Sequence, residues 1–428
     1  MPHVIVIGGG LAGLAAAAAL GDSGYQVDLY EARPFLGGRA TSYTLPNAES
    51  VDNCQHILLN CCVNLLNFYE RLGVRSKVEF HGEIPFMEPG GRVSVLKAGM
   101  LPAPAHFTGS FIKLKFLDWP DKIAVGKALL ALRSEYGKRG DLENISMLDW
   151  LREKKQTERA IDRFWRPVLV SAINEELDRM AASHGFQVFW LGFLATNESY
   201  QMGVPSVPLG QLYSSAQWRR LGNVTMQFRA SVEQLDPQRG ALIGGEWRTA
   251  DAYVSAVPFE RIGALAPGLE IDVSMFEHSS ITGVHLWFDR PVTDLPHAAL
   301  LDRNMQWFFN KGDGKYLQLV VSASKQLLEM GRPEIIELAV KELADFLPAV
   351  KTASLVKAHV VKEVRATFSA LPGLEQSRPL AATKWPNVFL SGDWTRSGWP
   401  ATMEGAVRSG YLAAEAVSGK RFLIPDIA

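Results

Sequence analysis

The sequence predicts an α/β protein in which a parallel-sheet domain, assembled from both ends of the chain, is interleaved with a mixed α+β domain. Three observations predict it. The run from His3 to Ile7 has no polar alternation and passes straight into glycines and an alanine-rich stretch, as a buried parallel strand feeding a helix does. A similar run, Val388 to Ser391, leads into glycines and a final helix near the other end of the chain. Between the two, the texture changes to helical patterns rich in large aromatics, then to period-two alternation.

The opening strand is followed by a helix through Leu14–Leu20. Gly24 breaks that helix, and Gln26 to Tyr30 is a second strand, which completes a β-turn-α-β unit with a right-handed crossover. From Phe107 to Trp190 the chain reads as helical, with Phe111, Phe116, Trp119, Trp150, Phe164, Trp165, Phe186 and Phe189 along it. Strands are expected at Asn223 to Leu235 and Asp251 to Ala256. An antiparallel sheet is expected over Val284 to Val321, with aromatic positions at Trp287, Phe288, Trp307, Phe308 and Phe309. A helix is expected from Glu334 to Phe346, and the last helix ends near Val417. No internal repeat and no low-complexity linker separates the parts. The expected division is therefore residues 1–85, 210–265 and 365–428 for the parallel-sheet domain, and 86–209 with 266–364 for the substrate domain.

At 428 residues the chain has room for two domains, and 47% hydrophobic with 21% charged residues is globular composition. The formal charge of -1 comes from 44 basic and 45 acidic residues without a basic stripe, which argues against nucleic acid as a partner. Cys54, Cys61 and Cys62 make neither a disulfide framework nor a zinc site, so no metal is expected and the setting reads as reducing and cytoplasmic. There is no cationic leader before the first strand and no apolar run long enough to span a bilayer. Peripheral contact with the inner membrane face stays open.

The chemistry is carried by glycines in fixed register. Gly8-x-Gly10-x-x-Gly13 follows a strand directly and opens a helix through Leu11 and Ala12. The first glycine allows the tight turn, the second lets backbone approach a pyrophosphate, and the third lets helix and strand pack closely. The helix dipole and its free N–H groups then face the phosphates. Glu31 ends the second strand, where a carboxylate meets an adenosine ribose, and this completes a Rossmann-like fingerprint. Glu31-Ala32-Arg33 is followed by Gly37-Gly38-Arg39, which can set a guanidinium beside phosphate or flavin. Far along the chain come Gly392-Asp393 and Ala401-Thr402-Met403-Glu404-Gly405-Ala406.

Together these segments resemble the signature shared by flavin amine oxidases and carotenoid-type desaturases, whose FAD-binding domain is of the GR2, amine oxidase-like type. The resemblance implies non-covalent FAD. Gly8, Gly10, Leu11, Ala12, Gly13, Glu31, Ala32, Gly38 and Arg39 would lie at its adenosine and pyrophosphate end. Gly392 and Asp393 would meet the ribityl-pyrophosphate region, and Thr402, Met403 and Ala406 would sit under the flavin ring. Val232, in the segment Gly222 to Leu235, would contact the adenine, and Gln55 and His56 would lie near the flavin.

More finely, Val51-Asp52-Asn53-Cys54-Gln55-His56-Ile57-Leu58-Leu59, Val204 to Leu209 and Ser397 to Gly410 resemble the squalene-associated flavoproteins of hopanoid biosynthesis, the hydroxysqualene dehydroxylases among them. That resemblance implies reductive removal of the hydroxyl of hydroxysqualene to give squalene. Cys54 departs from it, standing where the pattern carries glycine. The same motifs suit a desaturase of a carotenoid or squalene-like chain. An amine oxidase fits less well, since Thr402 stands where that group carries an aromatic-cage tyrosine, and a non-catalytic prenyl-binding escort is the alternative of another class.

Two residues are candidates for catalysis, each with a plainer reading. His56 is either a proton donor near the flavin or a histidine orienting backbone; Asp52 is either a general acid or a turn cap. Glu404 reads as a structural acid at a helix start, and the three cysteines read as small core residues. The segment Phe111 to Leu117, with Lys113 and Lys115 alternating among apolar residues, is either a membrane-interface element or an edge strand or helix entry. No second nucleotide fingerprint is present, so the electron donor is either NAD(P)H acting directly or a separate reductase.

Overall fold

A computed structural model describes residues 1–46, 49–218 and 221–427. Its first layer is a five-stranded parallel sheet in the order Val224–Phe228, Gln26–Glu31, His3–Ile7, Ala252–Ser255, Val388–Leu390. Strands from four distant stretches of chain meet here; His3–Ile7, Ala252–Ser255 and Val388–Leu390 are buried on both faces and need cover above and below, while Val224–Phe228 forms a largely exposed edge. The helix Leu11–Asp22 covers the centre and is buried from Leu11 through Gly21. The C-terminal helix Met403–Ser418 crosses it very closely. A Cβ on Gly410 would stand 2.2 Å from the Ala12 carbonyl oxygen, so glycine there and alanines opposite set the approach of the two axes.

The second layer is a seven-stranded sheet in the order Leu355–Phe368, His278–Phe288, Tyr316–Ser322, Trp307–Gly312, His297–Leu300, Glu83–Glu88, Arg92–Lys97. It is antiparallel except where His297–Leu300 pairs with Glu83–Glu88. The helix Arg332–Phe346 packs on one of its faces through Ile335, Ala339, Leu343 and Phe346. Trp307 and Phe309 join the other face to a helical subdomain containing Phe116, Trp150, Phe164, Trp165, Phe186 and Phe189.

The elements match their sequence expectations closely at both ends and in the sheet. Two differences are informative. The expected boundaries at 85 and 365 fall inside the strands Glu83–Glu88 and Leu355–Phe368, because apolar alternation does not show which sheet a strand will join. The segment Asn223 to Leu235 is not one strand unit. Val224–Phe228 adds to the parallel sheet, while Val232–Asp236 starts a three-stranded antiparallel sheet with Gly240–Ile243 and Glu246–Arg248. Arg229 breaks the run with φ of 54°. No helix among the described residues is long and apolar enough to cross a membrane.

Candidate functional site

The glycine turn after the first strand is built for a close approach. Gly8 has φ of 107°, and a Cβ on Gly13 would stand 2.0 Å from the Gly8 carbonyl oxygen. Gly10 caps the helix Leu11–Asp22 without a side chain over its N-terminus. The second glycine pair lies alongside, with Gly37 N donating to Gly9 O at 2.8 Å. A Cβ on Gly38 would stand 3.1 Å from Gly10 Cα. Glu31 closes one end, its carboxylate accepting from Gly9 N at 2.6 Å and Arg33 N at 2.7 Å. This is a side-chain-free groove at the positive end of a buried helix, and it fits the pyrophosphate of a dinucleotide. Leu11 and Ala12 are buried beneath it, Ala32 is exposed beside it, and the Val232 side chain packs with Ile5, Ile7 and Tyr30.

The distant C-terminal motif arrives at the same place. Arg39 donates from Nη2 to Asp393 at 2.6 Å and from Nη1 to the Ala366 carbonyl at 2.9 Å. Arg39 was expected beside phosphate or flavin. Here it holds the buried carboxylate of Asp393, and so ties the N-terminal glycine loop to the Gly392-Asp393 turn. Gly392 takes φ of 141°, where a Cβ would collide with the Trp394 ring at 2.5 Å. Thr402 caps the last helix, accepting from Gly405 N at 3.0 Å. With Gly405 N held by the Thr402 hydroxyl and Ala406 N donating to the Thr402 carbonyl at 2.9 Å, the N–H groups left for an outside acceptor at this helix start are those of Met403 and Glu404.

Glu404 is the structural acid the sequence suggested. Its carboxylate accepts from the backbone of Asn64 and Leu65 and from the Asn64 amide, capping the helix Val63–Arg71. Burial pushes it up to about 7.

The segment Asp52 to His56 lies between this cradle and the seven-stranded sheet. Asn53 bridges the two, donating to the Arg39 carbonyl at 3.0 Å and to Glu363 at 3.0 Å. Asp52 is buried; its Oδ1 accepts from Ser42 at 2.6 Å and Leu209 N at 3.0 Å, while Oδ2 faces Lys311 Nζ at 3.4 Å. One oxygen thus does the plainer job of fixing backbone, and the other points at a cation. Lys311 also reaches Gln55 Oε1 at 3.2 Å. His56 sits with Nδ1 3.4 Å from the Cys54 carbonyl, and burial lowers its proton affinity below the usual histidine range. Cys54 takes φ of 63°, the left-handed conformation to which glycine is suited, and burial raises its thiol to about 12. Gly283 lies opposite, where a Cβ would stand in ordinary contact at 3.6 Å from Cys54 Cα.

Three groups on this wall escaped the sequence reading: His285, Lys311 and Gln318. Trp307, Phe309 and Lys311 alternate along one strand, and a lysine continuing an aromatic face was the available signal. Lys113 and Lys115 are exposed, but Leu114, Phe116 and Leu117 between and after them are buried core. The segment Phe111 to Leu117 is therefore not an edge strand. It is the end of a short helix, Thr108–Ile112, and an inward-packed loop. The large apolar groups that are exposed here are Ile112 within the segment and Trp119, Ile123 and Leu130 after it. They rim a cavity of 580 Å³ whose inner wall is Phe107, Phe111, Phe164, Phe189 and Phe193. Phe164, Phe189 and Phe193 stand on two π-helical segments, Ile161–Trp165 and Val188–Leu194, an unusual backbone often found at functional sites.

A glycine cradle at a strand–helix junction, completed by a motif from the other end of the chain and faced by a sheet wall, defines a two-domain flavoprotein oxidoreductase. The chain belongs to the flavin containing amine oxidoreductase family, which matches residues 11–418, and its cofactor is FAD. It is 27% identical to a 15-cis-phytoene desaturase of Synechococcus elongatus, covering 98% of this chain and 96% of that protein. It is 26% identical to the chloroplastic/chromoplastic 15-cis-phytoene desaturase of Solanum lycopersicum, over 97% of this chain and 77% of that one. It is 25% identical to a Synechocystis zeta-carotene desaturase, over 97% of both. Among solved structures, an oxidoreductase from Methanosarcina mazei superposes with a TM-score of 0.73 at 16% identity over 98% of this chain and all of that one. Putrescine oxidase superposes with a TM-score of 0.71 at 16% identity, over 98% and 99%. These last two establish the fold.

Proposed function

We propose that the protein is an FAD-dependent oxidoreductase of a long polyisoprenoid, working at an allylic carbon in the manner of a desaturase. The observation that carries this is the continuous apolar packing from Trp307 and Phe309, beside the Asp52–His56 segment, to Phe164, Phe189 and Phe193 at the surface cavity. Full-length likeness to phytoene and zeta-carotene desaturases supports the same reading. Bound FAD supplies two-electron hydride exchange with carbon. Gly8, Gly10, Gly13, Glu31, Gly38, Arg39, Gly392, Asp393, Thr402, Met403 and Ala406 would hold it, with Val232 near its adenine.

In this reading the protein's own part is to exclude water, align the chain and move one proton. Desaturation removes a hydride and a proton from neighbouring carbons and leaves a double bond. His56, kept neutral by burial, accepts that proton, while Lys311 and Gln55 fix the backbone and carboxylate around it. Aromatic walls accommodate positive charge that develops on the chain.

A second reading is favoured by the Val51–Leu59 and Ser397–Gly410 segments: reductive dehydroxylation of hydroxysqualene to squalene. There the hydroxyl takes a proton from whichever of Asp52 and His56 enters the step protonated and leaves as water, and the carbon receives the hydride. The electrons then come from NAD(P)H or a reductase.

The exposed Ile112, Trp119, Ile123 and Leu130, with Lys113, Lys115, Lys122 and Arg133 near them, form a contact for the membrane in which such a substrate dissolves. Anaerobic incubation with phytoene (oxidised enzyme) and with hydroxysqualene (reduced enzyme), each followed by mass spectrometry, decides the direction. Loss of two hydrogens from phytoene supports the first reading, and squalene formation the second.

A further inference from the structure

Gln318 and His285 are a cross-strand pair on the sheet wall and neither has any exposed surface. Neither the oxygen nor the nitrogen of the Gln318 amide has a partner, and Nε2 of His285 has none. The other ring nitrogen, Nδ1, lies 2.7 Å from the Tyr316 hydroxyl. Their side chains share one face with Phe309, which pairs with Gln318 from the opposite side. That face looks onto the Asp52–His56 segment, because a Cβ on neighbouring Gly283 would stand 3.6 Å from Cys54 Cα and 3.9 Å from Gln318 Nε2. From Phe309 the apolar packing runs on to the aromatic wall of the surface cavity. The wall thus carries the unsatisfied polar groups of Gln318 and His285 beside a face of apolar rings that leads to the surface cavity.

A buried amide with no partner is costly, and a hydrocarbon lying against it would leave the cost in place. A hydroxyl removes it on both sides, since it donates one hydrogen bond and accepts others. With the Tyr316 hydroxyl donating to Nδ1, the ring proton of His285 stands on Nε2. The wall then offers two kinds of donor, His285 Nε2 and the Gln318 amide nitrogen, and one acceptor, Gln318 Oε1. Burial holds His285 down to about 3, so the ring stays neutral and suits a neutral alcohol.

We propose that Gln318 and His285 form a specificity-determining polar subsite that takes the hydroxyl of a polyisoprenoid alcohol. The inference rests on the polyisoprenoid reading above and sides with its second form, in which the chain carries a hydroxyl.

The test is a titration of the FAD-loaded enzyme in detergent, with the change in flavin absorbance reporting binding without turnover. The oxidised enzyme is titrated with hydroxysqualene and with squalene, for wild type, Gln318→Met and His285→Asn. Gln318→Met keeps length and volume and removes both hydrogen-bonding atoms. Wild type is expected to bind the alcohol at least about tenfold more tightly than the hydrocarbon. Gln318→Met should lose that preference while binding squalene as well as before or better, and His285→Asn should lose part of it. Retention of yellow FAD at full stoichiometry shows that a variant is folded. Equal wild-type affinity for the two compounds would overturn the subsite while leaving the polyisoprenoid reading intact, as would happen if an ordered water alone completes these groups. A preference undiminished in folded Gln318→Met and His285→Asn would overturn it too. Binding of neither compound would overturn the polyisoprenoid reading itself and the subsite with it.

Discussion

The guanidinium of Arg39 lies 2.6 Å from the carboxylate of Asp393, a residue 354 positions further along the chain. The two ends of the proposed FAD cradle are registered by this contact and by the Ala366 carbonyl that the same guanidinium reaches. Replacing Arg39 with Met should leave the buried Asp393 carboxylate without its cation, at a cost of about 2 kcal/mol. The purified variant should contain little FAD, and Arg39→Lys should recover only part of it, because an ammonium cannot make both contacts in one geometry. The ratio of flavin absorbance to protein absorbance measures this. Full FAD content in Arg39→Met would contradict the role given to the pair.

Cys54 occupies a left-handed backbone position, so substitutions there should follow backbone strain rather than hydrophobicity. Relief of that strain is of order 1 kcal/mol and is offset by loss of a buried thiol of similar worth. Cys54→Gly should therefore melt within a few degrees of wild type. Cys54→Val, larger and more apolar, should be destabilised by about 2 kcal/mol or more, since a β-branched residue tolerates φ of 63° poorly. Thermal melts of the two variants give the order.

Buried histidines predict a steep acid limb. His184, His285 and His297 are held to about 3, 3 and 4, in each case chiefly by burial. Below about pH 6.5 the unfolded chain binds protons at these sites that the folded chain does not, so folding weakens as pH falls towards 4. Each site contributes about 1.4 kcal/mol per pH unit within that window. Urea denaturation at pH 7 and pH 5 should show wild type losing more stability than His184→Gln/His297→Gln does. Equal losses would contradict the assignment.

If the apolar rim faces lipid, Trp119→Ser/Leu130→Ser should reduce sedimentation with anionic phospholipid vesicles several-fold without lowering thermal stability, since both side chains are largely exposed in the free protein. Unchanged sedimentation would remove the membrane contact from the account.

The geometry of the glycine turn and of the last helix start, where the cofactor is proposed to sit, was legible in the sequence because its determinants are local. Gly8, Gly10, Gly13 and Glu31 lie within one β-turn-α-β unit, and Thr402 to Ala406 within one helix start, so spacing alone gives their geometry. Arg39 was legible as a residue type but not as the partner of Asp393, since nothing in spacing joins positions so far apart. The sheet wall proposed to face the substrate was least legible. His285, Lys311 and Gln318 come together through strand register across three strands, and each alone reads as an isolated polar residue in an apolar run. The helical subdomain showed a similar limit. Aromatic density marked it, but only packing decides that Leu114 and Phe116 turn inward while Trp119 and Leu130 turn out.

The most direct test of the central claim is flavin redox state under anaerobic single turnover. Oxidised enzyme with phytoene and reduced enzyme with hydroxysqualene are each followed by absorbance alongside product mass. The account predicts that at least one polyisoprenoid changes the flavin redox state by one equivalent per active site, with a matching desaturated or dehydroxylated product. A flavin that neither compound oxidises or reduces, but that putrescine or another amine reduces, would contradict it.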